Sequence, residues 1–122
     1  METRNMKAII DLAPGGTVFR TAAEQLANEK TGSPADYRLH FESARTLFSH
    51  LTPARIELLD TLRRNGACSV YALAKAAGRN YSNVHTDVAA LEALSLIQRT
   101  EGDTVCVPFD AVEIRLDLAA VA

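Results

Sequence analysis

Several features that define other classes of protein are missing from this chain of 122 residues. No apolar run approaches the ~20 residues that a membrane-spanning helix needs. The first residues, METRNMKAIIDLAPGG, hold too short an apolar core for a secretory signal. With 48% hydrophobic and 23% charged residues, the composition is that of an ordinary soluble domain. We therefore expect a cytoplasmic protein that is not bound to a membrane.

The spacings that mark reactive or metal-binding sites are also missing. The three histidines, His40, His50 and His85, show neither HxxxH nor HExxH spacing, so a zinc site is unsupported. The stretch PGGT at 14–17 lacks the lysine of a phosphate-binding loop. No serine, histidine and acid together form a recognisable catalytic signature. We expect no enzyme, no catalytic residue, no metal and no cofactor.

Cysteine is scarce as well. Cys68 and Cys106 lie far apart and form no CxxC pair. In a cytosolic chain two buried free thiols are favoured over a disulfide, although a disulfide stays open at this point.

An excess of positive charge is also missing. The chain holds 13 basic and 15 acidic residues, whereas nucleic-acid-binding domains often carry a surplus of Lys and Arg. A local basic patch matters more than the sum, so the balance does not exclude such binding. The acidity is concentrated in the tail, where Asp110, Glu113 and Asp117 face one arginine, Arg115.

Helix start and stop signals are abundant between residues 43 and 94. Ser43 can cap a short helix with Leu47, Phe48 and Leu51 inward. Pro53 begins a second helix, which ends at Gly66 and carries a stripe of three apolar residues: Ile56, Leu59 and Leu62.

A third helix is predicted from Ser69 to Ala77 and a fourth, capped by Asn80, over 81–94. Only three residues, including Gly78, separate these two helices. A short connection with a glycine is typical of a helix-turn-helix unit.

Strand-like segments surround these helices. Two β-prone runs over 96–108 flank Glu101-Gly102-Asp103 and predict a hairpin, which in this order would be the wing of a winged helix. Further strands are predicted at 7–12, 37–42 and 111–118, with a helix over 17–30. The expected fold is mostly α with a small β component (α+β). We expect three segments: 1–43 for dimerisation or partner binding, 44–110 as the winged helix-turn-helix, and 111–122 as a C-terminal strand and tail.

The helix over 81–94 has two different faces. Tyr81, Val84, Val88 and Leu91 are predicted to point inward. The outward face is small and weakly polar, as a helix that enters the DNA major groove requires, and Asn83 could bond an adenine edge. An alanine-rich exposed face is equally good helix-forming sequence, so a purely structural role stays open. The candidate DNA-binding residues are Ser69, Lys75, Arg79, Asn80, Ser82, Asn83, His85, Thr86 and Arg99.

Four short pieces of residues 51–118 resemble one family. They are LTP at 51–53, GRNY at 78–81, NVHTDV at 83–88 and VPFD at 107–110. Together they are similar to the small MarR-like winged-helix regulators. The resemblance implies a DNA-binding transcription factor that is dimeric, and some such proteins are similar to antitoxins encoded beside a toxin. In such helices we would expect Lys or Arg where this chain has Ser82, Thr86 and Ala89. Each missing phosphate contact weakens binding to every DNA sequence.

Two functions therefore compete. The first is a sequence-specific regulator that binds double-stranded DNA as a homodimer. The strands outside the winged helix would form the dimer contact, because open strand edges invite association. The second is an antitoxin-like module that binds a partner toxin and regulates its own operon. The near-zero net charge favours the antitoxin-like module over a generic DNA-binding regulator.

Overall fold

The computed structural model of this chain describes residues 6–13 and 36–118. The predicted mixture of helices and small sheets is confirmed. None of the described helices is long and apolar enough to cross a membrane. The helix predicted over 17–30 lies outside the described residues. In chain order the elements are β1 (Lys7–Leu12), β2 (Tyr37–Phe41), α1 (Ala44–His50), α2 (Pro53–Asn65), β3 (Cys68–Ser69), α3 (Val70–Ala77), α4 (Tyr81–Ala93), β4 (Gln98–Arg99), β5 (Thr104–Cys106) and β6 (Ala111–Ile114).

The chain divides into two compact units. One takes its described residues from 1–49 and 109–122, and the other is formed by residues 50–108. The first and last of the three segments predicted from the sequence, 1–43 and 111–122, thus contribute to the same unit.

The first unit contains a three-stranded sheet in the order β2-β1-β6, and both pairings are parallel. The central strand β1 places Ala8 opposite Tyr37 on one side and opposite Val112 on the other. Alternate residues of β1 and β2 are buried, as the period of a strand dictates, and Ile10 and Leu39 belong to this core. β1 is therefore paired on both sides within the chain, whereas β2 and β6 each keep one edge unpaired within the described residues.

The edge strand β6 is shorter than the strand predicted over 111–118. Its register with β1 ends at Ile10↔Ile114, and the last backbone hydrogen bond runs from Arg115 N to Ile10 O at 2.8 Å. Beyond it the Arg115 guanidinium donates to Asp117 at 3.0 Å, a local contact that needs no strand. The alternating pattern of the tail continues past the residues that pair with β1.

The short helix α1 begins after Ser43, whose hydroxyl accepts a hydrogen bond from Thr46 N at 3.1 Å. Leu47 and Leu51 are buried as predicted. The prediction that Phe48 points inward is wrong, because its side chain is 47% exposed. Successive helical residues differ by about 100° in direction, and in α1 the position turned to the core is that of Leu47.

In the second unit α2 begins at Pro53 and is capped by Thr52, which accepts from Arg55 N at 3.3 Å. It ends at Gly66, whose φ of +90° favours glycine. Its buried residues are Leu58, Leu59 and Leu62, and the prediction that Ile56 belongs to the buried stripe is wrong, because its side chain is 38% exposed. Ile56 lies about 110° round the helix from the centre of the three buried leucines.

The helix-turn-helix unit is formed by α3 and α4. Gly78 ends α3 in the left-handed conformation, with φ of +67° and ψ of +35°. The next residue continues this turn, since Arg79 N donates to Ala74 O at 3.0 Å. Asn80 then caps α4, so the connection has the predicted length.

The wing is an antiparallel sheet in the order β3-β5-β4. The predicted hairpin over 96–108 forms with shorter strands, and Gly102 turns it with φ of +66°. Its third strand, β3, was not predicted. An element order of α2-β3-α3-α4-β4-β5 with this pairing is that of a winged helix.

Both cysteines lie in this sheet and are free and half-buried, less buried than predicted. Cys68 is opposite Val105, the residue before Cys106. Because neighbouring residues of a strand point to opposite faces, the register places the two thiols on opposite faces of the sheet.

Candidate nucleic-acid interface

Helix α4 is anchored by one apolar side. Val84, Val88 and Leu91 are buried, as the sequence predicts. The same prediction is wrong for Tyr81, which is 48% exposed. Tyr81 is the first residue of the helix, and side chains in a helix lean toward its N-terminus. The ring therefore projects past the start of the helix and does not join the core.

The opposite side of α4 is exposed and carries short side chains. Ser82, Asn83, Thr86 and Ala89 are all exposed. Thr86 Oγ1 donates back to Ser82 O at 3.2 Å, a bond within the helix. Within the part of the chain that the structure describes, the Asn83 amide side chain makes no hydrogen bond. Both its donor and its acceptor are thus available to another molecule.

Two candidate residues use their side chains to cap helices. Ser69 Oγ accepts from Ala72 N at 3.0 Å at the start of α3. Asn80 Oδ1 accepts from Asn83 N at 3.1 Å at the start of α4. Each oxygen satisfies a backbone N–H that the helix itself leaves unbonded. These two residues hold the helix-turn-helix in shape, whatever else they contact.

Asp87 connects three parts of the winged helix. Its carboxylate accepts from Arg55 Nε at 2.9 Å and from Arg79 Nη2 at 2.7 Å. Arg55 also donates from Nη1 to His50 O at 3.0 Å. Partial burial alone would raise the pKa of Asp87, but the hydrogen bonds and charges of Arg79 and Arg55 outweigh it and lower that pKa. The carboxylate is therefore held ionised between α2 and the turn before α4.

The guanidinium of Arg79 is directed into the protein by this contact. Its side chain is 30% exposed, and its Nη1 is buried without a hydrogen-bond partner among the described residues. The sequence predicted that Arg79 would contact a DNA phosphate. That contact stays a prediction, and in the structure Nη2 of the same side chain donates to the Asp87 carboxylate.

Arg99, the candidate from the wing, is also paired. Its Nε and Nη2 each donate to Glu92 of α4 at 3.0 Å, a bidentate contact that links strand β4 to the helix. The hydrogen bond from Arg99 lowers the pKa of Glu92, and the carboxylate raises the pKa of Arg99. Like Arg79, this cation has a partner within the chain.

Lys75 and His85 lie against exposed tyrosines, which were not among the predicted site residues. Lys75 Nζ is 5.7 Å from the ring centre of Tyr71, and the ring centres of His85 and Tyr81 are 5.8 Å apart. The signal that could have identified both tyrosines is their position just after a capping residue, Ser69 or Asn80. No group of three His, Cys, Asp or Glu side chains in residues 6–13 and 36–118 could hold a metal ion.

Comparisons with known proteins found similarity to a family model and to a solved structure. A family model described as HVO_A0114 matches residues 50–114, which is more than half of the 122 residues. The crystal structure of NolR from Sinorhizobium fredii is similar at 27% sequence identity and a TM-score of 0.45, over 55% of this chain and 70% of NolR. No curated protein matches the chain.

Proposed function

This chain belongs to the HVO_A0114 family, and we propose that it is a sequence-specific DNA-binding regulator of transcription that acts as a homodimer. The observation that carries the proposal is the outward side of α4. It is exposed, its side chains are short, and Asn83 presents an unbonded amide near the N-terminal end of the helix. A major groove admits such a helix, and an Asn amide matches the edge of adenine.

The winged helix and the motifs similar to MarR-like regulators agree with this proposal. In it, α4 enters the major groove and residues 96–108 contact DNA as a wing. Ser82, Asn83 and Thr86 face the base edges. Lys75 supplies a phosphate contact, and Ser69 and Asn80 support the two helices. The proposal assigns no enzymatic reaction to the chain.

The dimer is proposed on the sheet of the first unit. β6 is an edge strand, and Val112 and Leu116 are each 36% exposed while Leu118 is 87% exposed. An open edge with apolar side chains favours association with a second copy. A two-fold dimer would bind a palindromic site with half-sites about 34 Å apart. Sedimentation as a monomer at micromolar concentration would contradict it.

The test of DNA binding is a mobility-shift titration with the DNA upstream of the protein's own gene, at low and at moderate salt. We expect a shift that weakens with salt. Asn83→Ala should relax the sequence preference by about 1–3 kcal/mol at one base pair. The matched control is Asn65→Ala, which changes an exposed asparagine at the end of α2 and should leave the preference unchanged.

An antitoxin-like function is the second candidate. Arg55, Arg79 and Arg99 pair with carboxylates, which leaves less free positive charge for DNA. This pairing favours the antitoxin-like function. In that case the product of a neighbouring gene should form a stable complex with this chain when the two are produced together. If no DNA concentration gives a salt-sensitive shift and that complex forms, the regulator proposal is wrong.

A further inference from the structure

A line of exposed rings joins the two helices of the helix-turn-helix. Tyr71 of α3 is 62% exposed, and its ring centre lies 6.3 Å from that of Tyr81. The ring of His85, one turn further along α4, lies 5.8 Å from Tyr81. Lys75 Nζ covers Tyr71 at the other end. We call these four residues, Tyr71, Lys75, Tyr81 and His85, the aromatic row.

The aromatic row is not needed to build the core of the winged helix. α4 is anchored by Val84, Val88 and Leu91, and the buried residues of α3 are Val70, Leu73 and Ala74. Single exposed aromatic residues are common, but contiguous exposed rings mark surfaces that bind another molecule. Among the described residues neither tyrosine hydroxyl of the row has a hydrogen-bond partner.

Charge identifies the kind of molecule. Residues 50–108 hold six Lys and Arg side chains, and four of the arginines form ion pairs with carboxylates: Arg55, Arg64, Arg79 and Arg99. Lys75 forms no ion pair with any described residue, and its charge lies over the aromatic row. The Lys75 ammonium group and the two phenol hydroxyls can present positive charge and hydrogen-bond donors to an anion.

We propose that the aromatic row binds the sugar–phosphate backbone of double-stranded DNA beside the groove that α4 reads. The inference rests on the proposed function and deepens it. The hydroxyls of Tyr71 and Tyr81 donate hydrogen bonds to phosphate oxygens, the rings cover the sugars, and Lys75 neutralises a phosphate. Such contacts position the protein and carry no sequence information, whereas Asn83 on the other flank of α4 reads the bases.

The test measures the affinity of the full chain for two duplexes of equal length, one from upstream of its own gene and one unrelated, by fluorescence anisotropy. Tyr71→Phe and Tyr81→Phe keep the rings and remove only the hydroxyls. Each should weaken binding to both duplexes by a similar factor, about 5- to 10-fold. Lys75→Gln should reduce the slope of log affinity against log salt by about 1.

Controls separate binding from folding. Phe48→Leu changes an exposed aromatic residue of α1 and should leave both affinities unchanged. Melting temperatures of all variants show whether a substitution weakens binding only by destabilising the fold.

The possible outcomes are distinct. If the double variant Tyr71→Phe/Tyr81→Phe binds both duplexes like the wild type while Asn83→Ala still alters preference, the inference is wrong and the proposed function stands. A loss confined to the upstream duplex would show that the row reads bases, and would also overturn the backbone assignment. If the wild-type chain binds neither duplex, the proposed function itself fails.

Discussion

The carboxylate of Asp87 joins two arginines within the winged helix. It is 14% exposed and accepts hydrogen bonds from two arginines that are themselves mostly covered. We expect Asp87→Asn to lower the free energy of unfolding by about 2–3 kcal/mol, because two largely covered arginines lose their counter-charge. Urea unfolding followed by circular dichroism measures the change.

The matched control is Asp60→Asn. Asp60 also pairs with an arginine, Arg64 at 2.6 Å, but both side chains are well exposed. Such surface pairs contribute little, so the control should cost less than about 0.5 kcal/mol. Equal effects of the two substitutions would show that Asp87 is no more than a surface acid.

The same residue predicts a dependence on pH. The pKa of Asp87 is lower in the folded chain than its ordinary value of 3.8. A carboxyl with a depressed folded pKa contributes stability that is complete above the unfolded pKa and is lost as pH falls through the folded pKa. The difference in unfolding free energy between wild type and Asp87→Asn should therefore be constant above about pH 5 and shrink below about pH 4. A difference that persists undiminished at the lowest pH where both variants fold would contradict this assignment.

The directions in which side chains point were only partly predictable from the sequence. The exposure of Ser82, Asn83 and Thr86 follows from helical periodicity. The partners of Arg79 and Arg99 do not, because no local pattern says whether an arginine turns to solvent or to an acid of another element. Arg55 reaches Asp87 across 32 positions of the chain. Periodicity also places Tyr81 in the core, which is wrong. It does not account for the exposure of a side chain at the first residue of a helix.

At the scale of elements, α4 depends on its cap. Asn80→Ala removes the oxygen that accepts from Asn83 N, and should lower the free energy of unfolding by about 1 kcal/mol. Asn80→Asp keeps an acceptor and places a negative charge at the positive end of the helix, so stability should be unchanged or slightly higher. Thermal unfolding compares the three proteins.

The same pair of variants separates the cap from DNA contact. Under the proposed function, Asn80→Asp should bind DNA more weakly than the wild type although it is as stable, because its new charge faces phosphates. If Asn80→Asp were as unstable as Asn80→Ala, the hydrogen bond to Asn83 N would not be what holds the start of the helix.

Elements with strong local signals were predictable, and those held by pairing alone were not. α2 begins at Pro53, and Ser69 and Asn80 stand at the starts of α3 and α4, as the sequence predicts. β3 has two residues, too few to show any period, and exists because β5 lies beside it. The parallel pairing of β1 with both β2 and β6 joins residues that are far apart in the chain, and no local pattern specifies it.

At the scale of the whole molecule, the winged helix has few free cations, since four of the six Lys and Arg side chains in residues 50–108 pair with carboxylates. Salt dependence of DNA binding reports the number of phosphates that a protein neutralises, with a slope of about 0.9 for each. The proposed interface should therefore have a shallow slope, and a new cation on α4 should steepen it.

Thr86→Lys tests whether a cation added to α4 steepens the salt dependence of DNA binding. Thr86 is exposed on the outward side of α4, and its hydroxyl bonds only within the helix, so lysine should be accommodated without loss of stability. If α4 lies against DNA, the variant should bind more tightly at low salt, and its salt slope should rise by about 0.9 per protomer. Asn65→Lys adds the same charge at the exposed end of α2 and should change the slope much less. Equal slopes for the two lysine variants would mean that added charge acts through the molecule as a whole, and α4 would then have no special proximity to DNA.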